Sequence, residues 1–247
     1  MKIVAVVQAR TGSRRLPRKV LAEIEGKSVI EHIVNALKCS KMINEIVIAT
    51  TTKSEDSDIV QLADNFGVQW FRGSEKDVLE RFIEAAKMSN ADVIVRITAD
   101  DPLHDPGIID NIIENHISSG ADYTSNVLSR TFPRGYDTEV FNYNTLLKAD
   151  SLAKTHEERA HVTTVIRDNP SIFRLHSVEA PADMQHPEWR LCLDTEDDMK
   201  LIKEIYARLY TGQTIKYGDI IRLFKEEPGL PEINSNVEQE PIKGRIY

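Results

Sequence analysis

The sequence predicts an α/β protein with a doubly wound, mostly parallel sheet, and three observations carry that prediction. The strand-like segments are near-continuous apolar runs rather than alternating ones, as strands covered on both faces must be. Each is followed by apolar residues at helical spacing. The 247 residues suffice for one self-sufficient core, since a chain of this length buries roughly 70–75% of the surface it exposes unfolded.

Residues 2–9 (KIVAVVQA) form a β-branched run and read as the first strand. Val29, Ile30, Ile33, Val34 and Leu37 then mark a helix over 29–38. A second strand is expected at 45–51, a helix at 58–66, a short strand at 68–71, and a helix at 76–88 with Val78, Leu79, Phe82, Ile83 and Ala86 turned inward. Residues 92–98 (DVIVRIT) repeat the continuous apolar pattern, and 106–117 reads as a helix with Pro106 in its first turn.

After Gly120 the rhythm changes. Short β-like pieces at 122–125 and 138–141, helical stretches at 143–151 and 157–168, and a strand at 173–178 predict an insertion over about 121–180 that elaborates one edge. Residues 189–193 (WRLCL) return to the buried-strand pattern, and helices are expected at 197–209 and 217–226. A single domain is thus expected over 1–227. From 228 to 247, three prolines and little apolar periodicity predict an extended or mobile tail.

Composition narrows the partners. The 31 Lys+Arg against 39 Asp+Glu give a net charge of −8, which disfavours nucleic acids and anionic membranes. The apolar run at 3–7 is far short of the ~20 residues of a membrane span, and no secretory cleavage pattern follows it. A cytoplasmic location is expected. Cys39 and Cys192 are the only cysteines, with no CxxC pair or neighbouring His cluster; this fits a reducing compartment and argues against structural zinc, and both are expected to be packing residues.

In a doubly wound sheet, ligands bind beyond the carboxyl ends of the strands, so the loop after the first strand is the first place for chemistry. That loop reads ARTGSRRLPRKV and holds Arg10, Arg14, Arg15, Arg18 and Lys19 with no acid, in a chain of opposite overall sign. Guanidinium groups bind phosphate oxygens in pairs, Gly12 permits close backbone approach and Ser13 adds a donor, so the loop suits a polyphosphate. A solvated basic turn is the alternative. Neither GxxxxGK[ST] nor GxGxxG is present.

Two carboxylate stations end later strands. Asp100 and Asp101 follow the strand at 92–98, where acids beside phosphate-binding cations suit Mg²⁺; Asp101 reads equally as the cap of a turn into Pro102. Asp194 follows the strand at 189–193 as a second metal ligand. Asp197 and Asp198 need no such role, because Thr195 with Asp198 is a near capping box and acids favour a first helical turn.

In this order the stations resemble a family. The stretch ARTGSRRLPRK resembles the signature loop of the sugar nucleotidyltransferases that activate acidic sugars with CTP, and Gly26-Lys27-Ser28-Val29-Ile30 is similar to the stretch that follows it there. Ala99-Asp100-Asp101-Pro102 is similar to a motif of 3-deoxy-manno-octulosonate cytidylyltransferases, and Asp194-Thr195-Glu196-Asp197-Asp198 to one of acylneuraminate cytidylyltransferases. The segments 72–81 (RGSEKDVLER), 133–141 (PRGYDTEVF) and His161-Val162-Thr163 resemble the spore-coat polysaccharide biosynthesis protein F type, and the likeness covers about residues 1–235.

The resemblance implies a nucleotide-diphospho-sugar transferase-like fold, Mg²⁺-assisted attack on the α-phosphate of CTP with release of pyrophosphate, and a homodimer built through the inserted region. It implies nucleotide contacts from Ala9, Arg10, Gly12, Ser13, Arg14, Lys19, Arg72, Gly73 and Thr98, catalysis by Arg14, Lys19 and Asp100, and Mg²⁺ held by Asp100 and Asp194. The expected acceptor, an acidic sugar or related phospho-acid of surface-polysaccharide assembly, would meet Arg134, Asp137, Glu139 and His161. Surface charges flanking the Gly135 turn, and a merely packed His161, are the plainer readings of those four. Two departures stand out. Thr98 replaces a Gln that helps read cytosine in the octulosonate enzymes, and Arg18 replaces a loop Gly, which adds charge and bears on the loop's shape. Two other functions stay open, a glycosyltransferase consuming a nucleotide sugar and a non-catalytic nucleotide-binding protein.

Overall fold

A computed structural model describes residues 1–239. The chain opens with β1 (Ile3–Gln8), makes a small hairpin of β2 (Glu23–Ile24) and β3 (Lys27–Ser28), and enters α1 (Val29–Lys38). Strands and helices then alternate through β4 (Glu45–Thr51), α2 (Ser57–Phe66), β5 (Gln69–Gly73), α3 (Val78–Met88), β6 (Val93–Thr98) and α4 (Pro106–Ser119). The inserted region supplies β7 (Tyr123–Ser125), β8 (Glu139–Asn142), α5 (Tyr143–Leu152), α6 (His156–Ala160), α7 (Thr164–Asp168) and β9 (Leu175–Ser177). The long helices α8 (Glu196–Leu209) and α9 (Tyr217–Glu226) follow.

Seven strands form one sheet in the order β5-β4-β1-β6-β8-β7-β9. β5, β4, β1 and β6 are parallel, β8 is antiparallel to both β6 and β7, and β9 is parallel to β7. The doubly wound, mostly parallel architecture expected from the apolar runs is therefore present, with the insertion forming one edge. Alternate residues of β1 enter opposite cores: Ile3, Ala5 and Val7 pack with α1, α2, α4, α8 and α9, while Val4 and Val6 pack with α3, α5 and α7. Both faces exclude water, which is why the strands carry no polar alternation. Strand order reverses between β1 and β6, so a crevice opens beyond their carboxyl ends, where Gln8 and Thr98 lie opposite each other in register.

Local signals set the helix starts. Ser28 accepts from the Glu31 amide at α1, Asp77 from the Glu80 amide at α3, and Thr195 forms a capping box with Asp198 at α8. Among the described residues no helix is long and apolar enough to cross a membrane.

Four expectations are corrected. Residues 189–193 are no strand of the sheet: Leu191 and Leu193 are buried, but Arg190 makes only an isolated bridge to Arg134. The segment is laced to loops instead, with Leu191 N donating to Arg134 O (2.7 Å) and Leu193 N to Asp100 O (2.8 Å). Apolar pattern reports burial, and here the burial is against loops. The helix expected at 157–168 breaks at His161–Thr163, where Val162 takes φ 53° and Thr163 donates its hydroxyl to buried Glu139. A β-branched residue at positive φ is strained, and satisfying a buried carboxylate offsets that cost. The expected tail is docked over 228–239, with Leu230 and Asn234 buried and Pro231–Asn234 forming a 3₁₀ turn against α8; the remaining 240–247 lie outside the described residues. Cys192 is buried, but Cys39 is exposed.

Gly135 is required by its surroundings. It takes φ 107°, and a Cβ there would lie 2.5 Å from the carbonyl carbon and oxygen of Leu191. Gly135→Ala is expected to destabilise the protein by about 3 kcal/mol through strain and overpacking, measured by urea unfolding. Unchanged stability would show that the 134–137 turn is not pressed onto the segment carrying Asp194.

Candidate active site

The loop at 9–20 leaves β1 as a curl rather than a free turn. The Thr11 amide and hydroxyl both donate to Asp56 Oδ1 at 2.7 Å, and the Thr51 hydroxyl donates to its other oxygen. Arg18 N returns to Thr11 O at 3.0 Å. Arg18 itself adopts φ 57°, ψ 21°, the left-handed conformation that glycine enters without strain. Its guanidinium is paired with Asp58 at 2.6 Å on the outside.

Beyond the ends of β1 and β6 lies a cleft of ≈ 530 Å³ lined by Arg10, Gly12, Ser13, Arg14, Lys19, Thr98, Asp100 and Asp194, all expected, together with Gln8, Arg15, Val20, Glu75 and Ala99. The basic loop and the two acids thus face one space. Lys19 Nζ stands between the acids, 2.7 Å from Asp100 Oδ2 and 2.8 Å from Asp194 Oδ1. Burial would lower the Lys19 pKa, but Asp100 and Asp194 outweigh it and hold it above the usual lysine value. Burial likewise opposes ionisation of Asp194, and Lys19, Arg15 and Arg190 together hold its pKa below normal. Arg14 is exposed to the cleft and makes no ion pair or hydrogen bond among the described residues. Arg10 is held only loosely, 3.4 Å from Glu75.

Asp194 is positioned from behind. Arg190 donates Nη2 to Asp194 (2.7 Å) and Nε to Asp198 (2.9 Å). Asn234 of the docked C-terminal segment donates to Asp198 Oδ1 (2.8 Å) and to Arg190 O (2.9 Å). Asp198, read as a helix cap, is therefore both cap and anchor. Asp101 turns inward, 3% exposed, and accepts from the Thr98 hydroxyl at 2.7 Å; burial, with Asp100 and Asp137 nearby, pushes its pKa well up and favours the protonated form.

Asp100 and Asp194 already direct one oxygen each at a single cation, the Lys19 ammonium, and both border the open cleft. As hard carboxylate donors bordering open space the two acids suit Mg²⁺, but both Asp194 oxygens are ion-paired, with Lys19, Arg15 and Arg190, so an ion shared by the two acids would have to displace the Lys19 ammonium from between them.

Other expected residues lie elsewhere. Ala9 is buried in the core at the loop's origin. Arg72 donates to the carbonyls of Thr51 (2.8 Å) and Lys53 (2.6 Å), and Gly73 packs against Phe71 and Arg81; neither lines the cleft. Arg134 borders a separate cavity of ≈ 120 Å³ with Trp189, Arg190 and Asn234. Asp137 is gripped by both Arg130 Nη atoms at 2.7 and 2.8 Å. His161 sits at the α6–α7 break, outside the cleft lining.

Glu139 is withdrawn from any ligand. It is 5% exposed, ion-paired with Arg96, and accepts from the Tyr123 (2.7 Å) and Thr163 hydroxyls. Burial opposes its charge, but Arg96 and Arg167 win, and its pKa falls from 4.5 to about 2. A depressed carboxylate contributes stability that is present above its unfolded value and lost as the pH falls toward the folded one. Unfolding free energy is thus expected to decline between pH 4.5 and 2, less steeply in Glu139→Gln. At neutral pH that variant is expected to lose about 3 kcal/mol, because Arg96 is left uncompensated. Urea unfolding across pH tests both, and identical acid limbs in the two proteins would refute the role.

Residues 4–220 match the Cytidylyltransferase family. The chain belongs to the cytidylyltransferase family. It is 33% identical over 231 residues to the spore coat polysaccharide biosynthesis protein SpsF of Bacillus subtilis, covering 92% of this chain and 95% of that protein. A cytidylyltransferase structure from Leptospira borgpetersenii superposes with a TM-score of 0.89 at 30% identity, over 98% of this chain and 100% of that one. The fold is shared more widely: a CMP:2-keto-3-deoxy-manno-octonic acid synthetase complexed with CTP matches with a TM-score of 0.64 at 17% identity, over 84% of this chain and 99% of that one.

Within this cytidylyltransferase, Gln8, Arg15 and Glu75 are cleft residues that the sequence reading did not single out as site residues. Arg15 was visible as part of the cationic run. Nothing local distinguishes Gln8 at a strand end, or Glu75, whose partners Arg10 and Lys53 belong to other loops.

Proposed function

We propose that this protein transfers CMP from CTP to an anionic acceptor, an acidic sugar or related phospho-acid, with release of pyrophosphate, in the assembly of a surface polysaccharide. The observation that carries the reading is the convergence of Arg10, Arg14, Arg15 and Lys19 with Asp100 and Asp194 on one cleft. A nucleoside triphosphate needs that excess of cations on the phosphate side, whereas the diphosphate donor of a glycosyltransferase needs less.

In this reading Arg10, Arg14 and Lys19 hold the triphosphate, with Ser13 and the backbone at Gly12 beside it. Asp100 and Asp194 would hold Mg²⁺, which neutralises phosphate charge when bound. Nucleotidyl transfer asks the protein mainly for alignment and for cations facing the charge that develops, and no general base is needed where the acceptor oxygen is already ionised. Arg14, with no protein partner to leave among the described residues, is free to follow the departing pyrophosphate. Glu139 takes no part in acceptor binding, because its oxygens are occupied. The kinship with a spore coat polysaccharide biosynthesis protein supports the part of this reading that concerns polysaccharide assembly. A homodimer through the insertion belongs to the same reading, supported by exposed Leu147 (39%) and Ile172 (40%) there; sedimentation showing only monomer would remove it.

Pyrophosphate release tests the activity. CTP with Mg²⁺ and a panel of sugar acids and phosphorylated acceptors is expected to release pyrophosphate with at least one acceptor, and UTP, GTP and ATP far less. Preferential binding of UDP-sugars, with no CTP-dependent release, would favour the glycosyltransferase instead.

A further inference from the structure

Gln8 and Thr98, paired across β1 and β6, line the cleft with Ala99, beside its charged residues. The base of CTP carries no charge, and it is recognised through hydrogen bonds to its edge. The Thr98 hydroxyl already donates to Asp101. Among the described residues lining the cleft, Gln8 is the one carboxamide.

Its orientation follows from its neighbour. Arg96 Nη2 lies 3.3 Å from Gln8 Oε1, and a guanidinium can only donate. The amide oxygen therefore faces Arg96, and Nε2, with two hydrogens and no protein partner among the described residues, is left to the cleft. Arg96 is in turn fixed by Glu139, itself held by Tyr123 and Thr163, and lies over the Phe82 ring at 6.0 Å. A buried chain from the inserted region thus ends in an amide that presents donors.

We propose that Gln8 reads the nucleobase, with Nε2 donating to the N3 and O2 acceptors of cytosine, and that Arg96 is the positioning residue that keeps the amide in that sense. The inference deepens the CTP reading above and rests on it. Uracil presents N3–H at the same place, so donor would face donor and a polar group would be left unpaired. The chain through Arg96 also gives Glu139 a purpose without contact to substrate.

Titration calorimetry with CTP and with UTP, on wild type, Gln8→Leu, Gln8→Glu and Arg96→Lys, tests this. Wild type is expected to prefer CTP. Gln8→Leu and Gln8→Glu are expected to weaken CTP binding about tenfold to a hundredfold, and UTP binding less than about threefold. Arg96→Lys keeps a cation for Glu139 but loses the fork that reaches Gln8, and is expected to reduce the CTP/UTP ratio several-fold. Partial unfolding lowers stoichiometry for both nucleotides alike, so the affinity ratio isolates base reading from fold. If wild type shows no preference for CTP, the proposed function fails; if it does and both Gln8 variants retain the ratio, only this inference fails.

Discussion

Asp100→Asn is expected to lower kcat by ~10²–10³-fold or more while leaving the melting temperature within a few degrees. Asp100 lies just beyond the end of β6, is 29% exposed in its side chain, and among the described residues is ion-paired with one cation, Lys19. Removing its charge leaves no buried group unpaired, because Lys19 keeps Asp194 at 2.8 Å. In the proposed reading, what disappears is one of two anions that would share a divalent cation at the phosphates, and an amide oxygen is a much weaker ligand for such an ion. Steady-state pyrophosphate release with a parallel thermal melt separates the two effects. Near-normal turnover would show that Asp100 is not part of the catalytic machinery.

Lys19→Met is expected to have the second largest effect. Lys19 holds Asp100 and Asp194 apart and neutralises them, so the variant leaves two carboxylates facing one gap. Like charges at that range repel strongly where water is partly excluded. Asp194 retains Arg15 (2.9 Å) and Arg190 (2.7 Å), and Asp100 retains solvent, so the stability cost is expected to be only about 1–2 kcal/mol, below that of a fully buried broken pair. The catalytic cost is larger. In the proposed reading Lys19 also meets the phosphates, and its loss is expected to reduce kcat/KM for CTP by ~10³-fold. A variant that loses stability but not kcat/KM would make Lys19 a structural wedge and nothing more.

Much of the fold was legible because its signals are local. The strands β1, β4 and β6 announce themselves as continuous apolar runs, and the helices between them repeat every three to four residues, so neither depends on knowing what packs where, whereas the two-residue strands β2 and β3 carry no such run. The cationic loop is legible for the same reason, its five basic residues lying within residues 10–19. Elsewhere one pattern allowed two outcomes. Residues 189–193 have the composition of a buried strand, but a strand is defined by its partner, and the partners of Leu191 and Leu193 are the loops at 134 and 100. The stretch at 157–168 has helical periodicity, but Thr163 is drawn to a carboxylate 24 residues earlier.

The sequence by itself determined the fold class, the place of the candidate site beyond the first strand, and the chemical types gathered there: arginines and a lysine after β1, and aspartates after β6 and after the buried apolar segment at 189–193. Only the tertiary structure decided which of them act together. Lys19 meets Asp100 and Asp194 across 81 and 175 residues of chain, Glu139 is claimed by Arg96 43 residues away instead of by a ligand, and Gln8 turns its donors outward because Arg96 holds its oxygen. The reason is physical. Apolar periodicity and backbone propensity act within a few residues, whereas a charge or an amide acquires its role from the partner that satisfies it, and sheet pairing chooses that partner.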